Sequence, residues 1–89
     1  MVRMFVRHMV KDFRVWKKGY VQFDKERQSM GVKAQTVYRS IDKAGEVTVT
    51  HDFLNVRAAR AFVGSPRLRE VMKAAGVKGK PAIWFTKAA

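Results

Sequence analysis

His8 and His51 are the two residues of this chain with the most chemistry to offer. Each interrupts an alternating run of apolar residues. Val2, Met4, Val6, His8 and Val10 fall on one side of the first run, and Val47, Val49, His51 and Phe53 on one side of the other. An imidazole on an apolar wall titrates near neutrality when unperturbed, so it can take a proton from a phenol or an enol. The plainer reading of each is a hydrogen-bonded histidine at a strand end. His8 sits near the end of its run, where the chain turns into a helix and the seam can open to solvent. His51 is the more structural of the two.

Two histidines on one face also raise a metal site. If the runs pair antiparallel with Arg3 opposite Asp52 and Met9 opposite Glu46, His8 faces Val47 and His51 faces Met4. The imidazoles are then four residues apart along the strands, roughly 13 Å, too far to share one ion. No carboxylate cluster completes a site, and the expectation is no metal and no cofactor. The chain has no cysteine, which excludes disulfides, thiolate-bound zinc, iron–sulfur clusters and thiol catalysis. It also has no Gly-rich phosphate loop, nucleophile elbow or close pair of acids.

A second group of residues could line a ligand site. Phe13, Trp16, Tyr20 and Phe23 are spaced 3, 4 and 3, an aromatic stripe on one helix face that continues through Arg27 and Met30. Such a stripe is first of all core, but a cleft between helix and sheet opens along the same seam. Trp16 and Tyr20 are expected to face Val6, His8, Val49 and His51, with Phe62 and Trp84 completing an aromatic box.

The elements that must position these residues follow from periodicity and caps. Val2–Val10 alternates with period two, as does Glu46–Phe53, and both read as strands with one apolar face. Asp12 is placed to cap a helix that runs to Gly31. Residues 32–40 read as a strand, joined to the next by the turn Asp42-Lys43-Ala44-Gly45. Asn55 caps a further helix, and Ser65-Pro66 restarts it. Residues 77–81 read as a loop and 82–86 as a last strand. The order is βαββαβ, the ferredoxin-like α+β arrangement, in a single domain spanning residues 1–89. Its sheet order is 4-1-3-2, with both helices on one face. The other face, with Arg3, Phe5, Arg7, Thr48 and Thr50, is bare unless a second copy covers it.

The composition adds a charge question. The chain of 89 residues carries 19 Lys and Arg against 7 Asp and Glu, a net charge of +12. Basic domains bind polyanions, and the RNA recognition motif shares this topology, but it needs stacking aromatics on the bare face of the third strand. Glu46, Thr48, Thr50 and Asp52 occupy that face here. The cations instead spread over both helices, as on a solvated surface, and nucleic acid is not expected as a partner. No apolar run approaches the roughly 20 residues of a membrane helix, nor is there a signal-peptide pattern, so the expectation is a cytoplasmic protein without a membrane partner.

With these elements in place, the chain resembles the dimeric α+β barrel proteins related to antibiotic biosynthesis monooxygenases, many small members of which carry only the label "cyclase". The matching stretches are Met4–Phe13 with Trp16-Lys17, Glu46–Phe53, Ala58–Phe62 with Ser65–Leu68, and Ala75–Pro81 with Trp84-Phe85, essentially the whole chain. The resemblance implies a homodimer whose sheets face each other, with a pocket in each protomer between sheet and helices. The activities it implies are cofactor-free oxygenation of phenolic polyketides and haem degradation, both run with an Asn, a Trp and a His around the pocket. Here His8 or a neighbour stands at the first-strand Asn position, no Asn precedes Asn55, and no His lies on the second helix, where a haem-degrading relative places its iron ligand. The expected function is therefore a small-molecule-binding homodimer, with cofactor-independent monooxygenase or cyclase chemistry on an aromatic or polyketide-like substrate. The alternatives are a non-catalytic ligand-binding or structural dimer, and a basic nucleic-acid-associated module.

Overall fold

The computed structural model describes all 89 residues. Four strands and four helices follow in the order β1 (Val2–Val10), α1 (Phe13–Gln22), α2 (Asp24–Ser29), β2 (Ala34–Arg39), β3 (Glu46–Phe53), α3 (Val56–Val63), α4 (Pro66–Ala74) and β4 (Val77–Lys87). The sheet order is β2-β3-β1-β4, and every neighbouring pair is antiparallel. This is the ferredoxin-like α+β fold, with each helical segment divided in two. The β1–β3 register sets Arg3 against Asp52, Met4 against His51, His8 against Val47 and Met9 against Glu46, the pairing expected from the sequence and one that keeps both apolar faces on the same side.

The caps are those the sequence offers. Asp12 accepts hydrogen bonds from the backbone of Arg14 and Val15 at 2.8 and 3.2 Å, Asn55 from Ala58 at 2.9 Å, and Ser65 from Leu68 at 3.4 Å. Pro66 follows in the first turn of α4, where its missing N–H costs nothing. No helix is long and apolar enough to cross a membrane.

Two elements differ from the sequence reading. The single helix expected from Asp12 to Gly31 is broken at Phe23, which closes α1 and opens α2. Asp24 and Glu26 then lie in the first turn of α2, where carboxylates complement the helix N-terminus. The expected loop over residues 77–81 is instead the first half of β4. Its register shifts between Met9↔Lys78 and Arg7↔Ala82, so Gly79, Lys80 and Pro81 together stand against His8. Gly79 supplies a positive φ of 68° for this bulge. Pro81 is tolerated because β4 is an edge strand.

The helices cover one face of the sheet and divide the core in two. Met4, Val6, Phe53 and Phe62 anchor one half; Val10, Trp16, Val47 and Val49 anchor the other. The opposite face carries no helix. Phe5 and Trp84 stack there, with ring centroids 5.3 Å apart and planes 2° apart. This corrects the placement of Trp84 in the aromatic box, because in β4 it is Ile83 and Phe85 that pair with Val6 and Met4 on the helix side. Arg3 and Asp52 form a two-pronged ion pair on this face, at 2.8 and 3.1 Å.

Candidate functional site

A cavity of about 50 Å³ lies between the sheet and the helices. Strand alternation supplies one wall, with Val6 and His8 from β1 and Val49 and His51 from β3; Trp16 and Tyr20 stand on α1 and Phe62 on α3. Seven of the eight residues singled out in the sequence thus meet at one cavity, and Trp84 is the exception. The sequence reading missed Arg27 of α2 and the α4 residues Leu68, Val71 and Met72, which also line it. The signal for Arg27 was there: it is the one charge in an otherwise apolar stripe from Phe13 to Met30.

His8 is 6 % exposed, so the seam beside it is closed rather than open to solvent. Its ring tilts against Trp16, with centroids 5.6 Å apart. Neither Nδ1 nor Nε2 has a hydrogen-bond partner. Burial lowers its pKa from the ordinary value, which keeps the ring neutral at pH 7. An orphaned pair of ring nitrogens costs about 1–3 kcal/mol for each unmet group. That cost falls away when a hydroxyl or water reaches the ring.

His51 is equally buried but differently held. Its Nε2 lies 3.0 Å from the Tyr20 hydroxyl, and its Nδ1 has no partner. Phe62 meets the ring edge-on at 5.3 Å. Burial, reinforced by the charge of Arg27, lowers the His51 pKa to about 3. Tyr20 stacks on Trp16 at 4.9 Å, and burial pushes its phenol up to about 12. At pH 7 both partners of this bond are neutral.

Arg27 is 1 % exposed. Its Nε donates to Gln35 Oε1 at 2.7 Å, and its terminal nitrogens donate to the Tyr20 carbonyl at 2.8 Å and to Asp24 at 3.1 Å. The guanidinium lies 3.6 Å from the centre of the Tyr20 ring, a close cation–π contact. The cavity therefore has apolar walls, two neutral imidazoles at separate points, and one buried cation whose charge is balanced by Asp24.

The same arrangement of strands and helices occurs in solved structures. A structure described as an antibiotic biosynthesis monooxygenase superposes over 100 % of this chain and 99 % of its own, with a TM-score of 0.75 and 12 % identity. The chain has the antibiotic biosynthesis monooxygenase fold. SnoaB, described as a cofactor-independent oxygenase from Streptomyces nogalater, shows the same fold at 14 % identity, with a TM-score of 0.74 over 99 % of this chain and 94 % of its own. A conserved protein from Methanosarcina mazei matches with a TM-score of 0.77 at 12 % identity, over 99 % of this chain and 92 % of its own. No protein-family model and no curated relative matches the sequence. Fold alone does not fix chemistry, so what the cavity of this chain can do is decided by the residues that line it.

Proposed function

We propose that the protein is a cofactor-independent monooxygenase for a small hydroxylated aromatic molecule, working as a homodimer. The observation that carries this reading is His8: a neutral imidazole, unpartnered at both ring nitrogens, in the wall of an apolar cavity. A phenolic hydroxyl reaching His8 gives up its proton to the ring. The resulting imidazolium and phenolate form as a pair, which offsets the burial that disfavours either charge alone. The electron-rich phenolate is then open to O₂. O₂ bonds to the ring carbon para to the phenolate oxygen; that carbon's hydrogen and the proton held on His8 leave with one oxygen atom as water, and the other oxygen atom stays on the carbon as a quinone carbonyl. The fold shared with SnoaB supports this class of reaction.

The homodimer reading rests on the uncovered sheet face. Trp84 is 40 % exposed there, stacked on Phe5, with Arg7 5.9 Å from its ring. Such a patch is better covered than solvated.

The cavity volume favours a second reading, a non-catalytic structural or ligand-binding dimer. Ligand pockets usually span about 300–1,000 Å³, and a benzene-binding cavity about 150 Å³. At about 50 Å³ the site is too small for an aromatic ring. Helix α4 lines it with Leu68, Val71 and Met72 yet buries no residue fully, so the oxygenase reading requires this wall to move aside for a ring. Titration with 1-naphthol and with naphthalene, followed by oxygen uptake, separates the readings. The oxygenase reading expects preferential binding of the naphthol and O₂ consumption that His8→Ala abolishes. Binding without His8-dependent uptake leaves the binding protein; no binding of either leaves the structural dimer.

A further inference from the structure

The Tyr20–His51 contact determines which nitrogen of a neutral imidazole carries the proton. The phenol oxygen lies 3.0 Å from Nε2, and two arrangements meet that distance. Either Tyr20 donates to a bare Nε2, or Nε2–H donates to the phenol oxygen. A phenol O–H is the stronger donor of the two, and a bare imidazole nitrogen is the stronger acceptor, so the first arrangement is preferred. Arg27 strengthens the preference. Its cation on the face of the Tyr20 ring draws electron density away from the phenol oxygen, making the O–H a better donor and the oxygen a poorer acceptor. Gln35, Asp24 and the Tyr20 carbonyl fix the guanidinium in that position.

With Nε2 bare, a neutral ring holds its proton on Nδ1. That Nδ1 is buried and has no acceptor in the protein, and His51 lines the cavity. We propose that Tyr20, held by Arg27, locks His51 as its Nδ1–H tautomer, so that His51 donates a hydrogen bond to a carbonyl or phenolate oxygen of the ligand. Tyr20 and Arg27 are positioning residues in this arrangement, and His8 alone is left as the proton acceptor. The donor role rests on the cavity being the ligand site; the tautomer does not.

Long-range ¹H–¹⁵N NMR of the labelled full chain reads the tautomer directly. The expected spectrum shows His51 with protonated Nδ1 and unprotonated Nε2 between pH 6 and pH 8. Tyr20→Phe keeps the ring against Trp16 and Arg27 and removes only the hydroxyl; His51 is then expected to shift to the Nε2–H form that free imidazole prefers. Protonated Nε2 in the wild type, or an unchanged Nδ1–H in Tyr20→Phe, overturns the lock. Acetophenone, which offers a carbonyl and no proton for His8, is the ligand probe. It is expected to shift the His51 Nδ1 resonance saturably in the wild type. A locked tautomer with no response overturns the ligand site and with it the donor role; an unlocked tautomer in a protein that binds acetophenone overturns the lock alone.

Discussion

Phe5 and Trp84 stand opposite each other in the β1–β4 register and stack face to face on the side of the sheet that no helix covers. A stacked pair of this kind adds about 0.5–1.5 kcal/mol beyond its buried area, but Trp84 keeps 40 % of its surface exposed. The pair is expected to be the centre of the contact between two copies. Trp84→Asp should convert a dimer into a folded monomer, read by light scattering at micromolar concentration together with circular dichroism. A wild-type protein that is already monomeric there refutes the assignment.

Trp16 is 3 % exposed, between His8 and Tyr20. Trp16→Ala is expected to cost about 3–5 kcal/mol as a deletion of a large core side chain. Urea unfolding of the variant measures it. A loss below about 1 kcal/mol would mean that the ring packs loosely and that the site is preformed without it.

Stability should fall on mild acidification, and the sign follows from His51. Its ordinary pKa is 6.5, and in the folded protein it is lowered to about 3. The unfolded chain therefore binds a proton that the folded chain refuses, and the stability present above pH 6.5 is lost as the pH falls toward 3. The slope in that window approaches about 1.4 kcal/mol per pH unit. His8, also lowered by burial, acts in the same direction. Urea midpoints at pH 7, 6 and 5 test this before the carboxylates titrate. His51→Gln should flatten the profile; a wild-type midpoint that does not move contradicts the burial of both rings.

Arg27 is a buried cation with partners on three sides. Removing one member of a buried ion pair costs about 3–5 kcal/mol, and here the lower end applies because the Asp24 side chain is 39 % exposed. Arg27→Met is expected to lose stability on that scale and to release Tyr20, which intrinsic fluorescence and near-ultraviolet dichroism report. An unchanged melting curve with an unchanged aromatic signal contradicts the account of Arg27 as the support of Tyr20.

The faces of β1 and β3 were legible in the sequence because alternation is a local property: each residue's neighbours two positions away state which side is apolar. From that pattern, with Arg3 and Asp52 at one end and Met9 and Glu46 at the other, the strand register and the placing of Val6, His8, Val49 and His51 on one wall followed. The caps Asp12, Asn55 and Ser65 were legible for the same reason, since each acts on backbone groups within three residues. Trp84 was not, because Ala82, Ile83, Trp84 and Phe85 are all apolar and no polar alternate marks a face; the bulge at Gly79–Pro81 and pairing with β1 decided it. The division at Phe23 and the burial of Arg27 came from packing, although Asp24 and Glu26 carried a helix-start signal. Tyr20 and His51 are 31 positions apart. Nothing in either residue's neighbourhood states that a hydroxyl will meet an imidazole, because that distance exists only after the helix docks on the sheet.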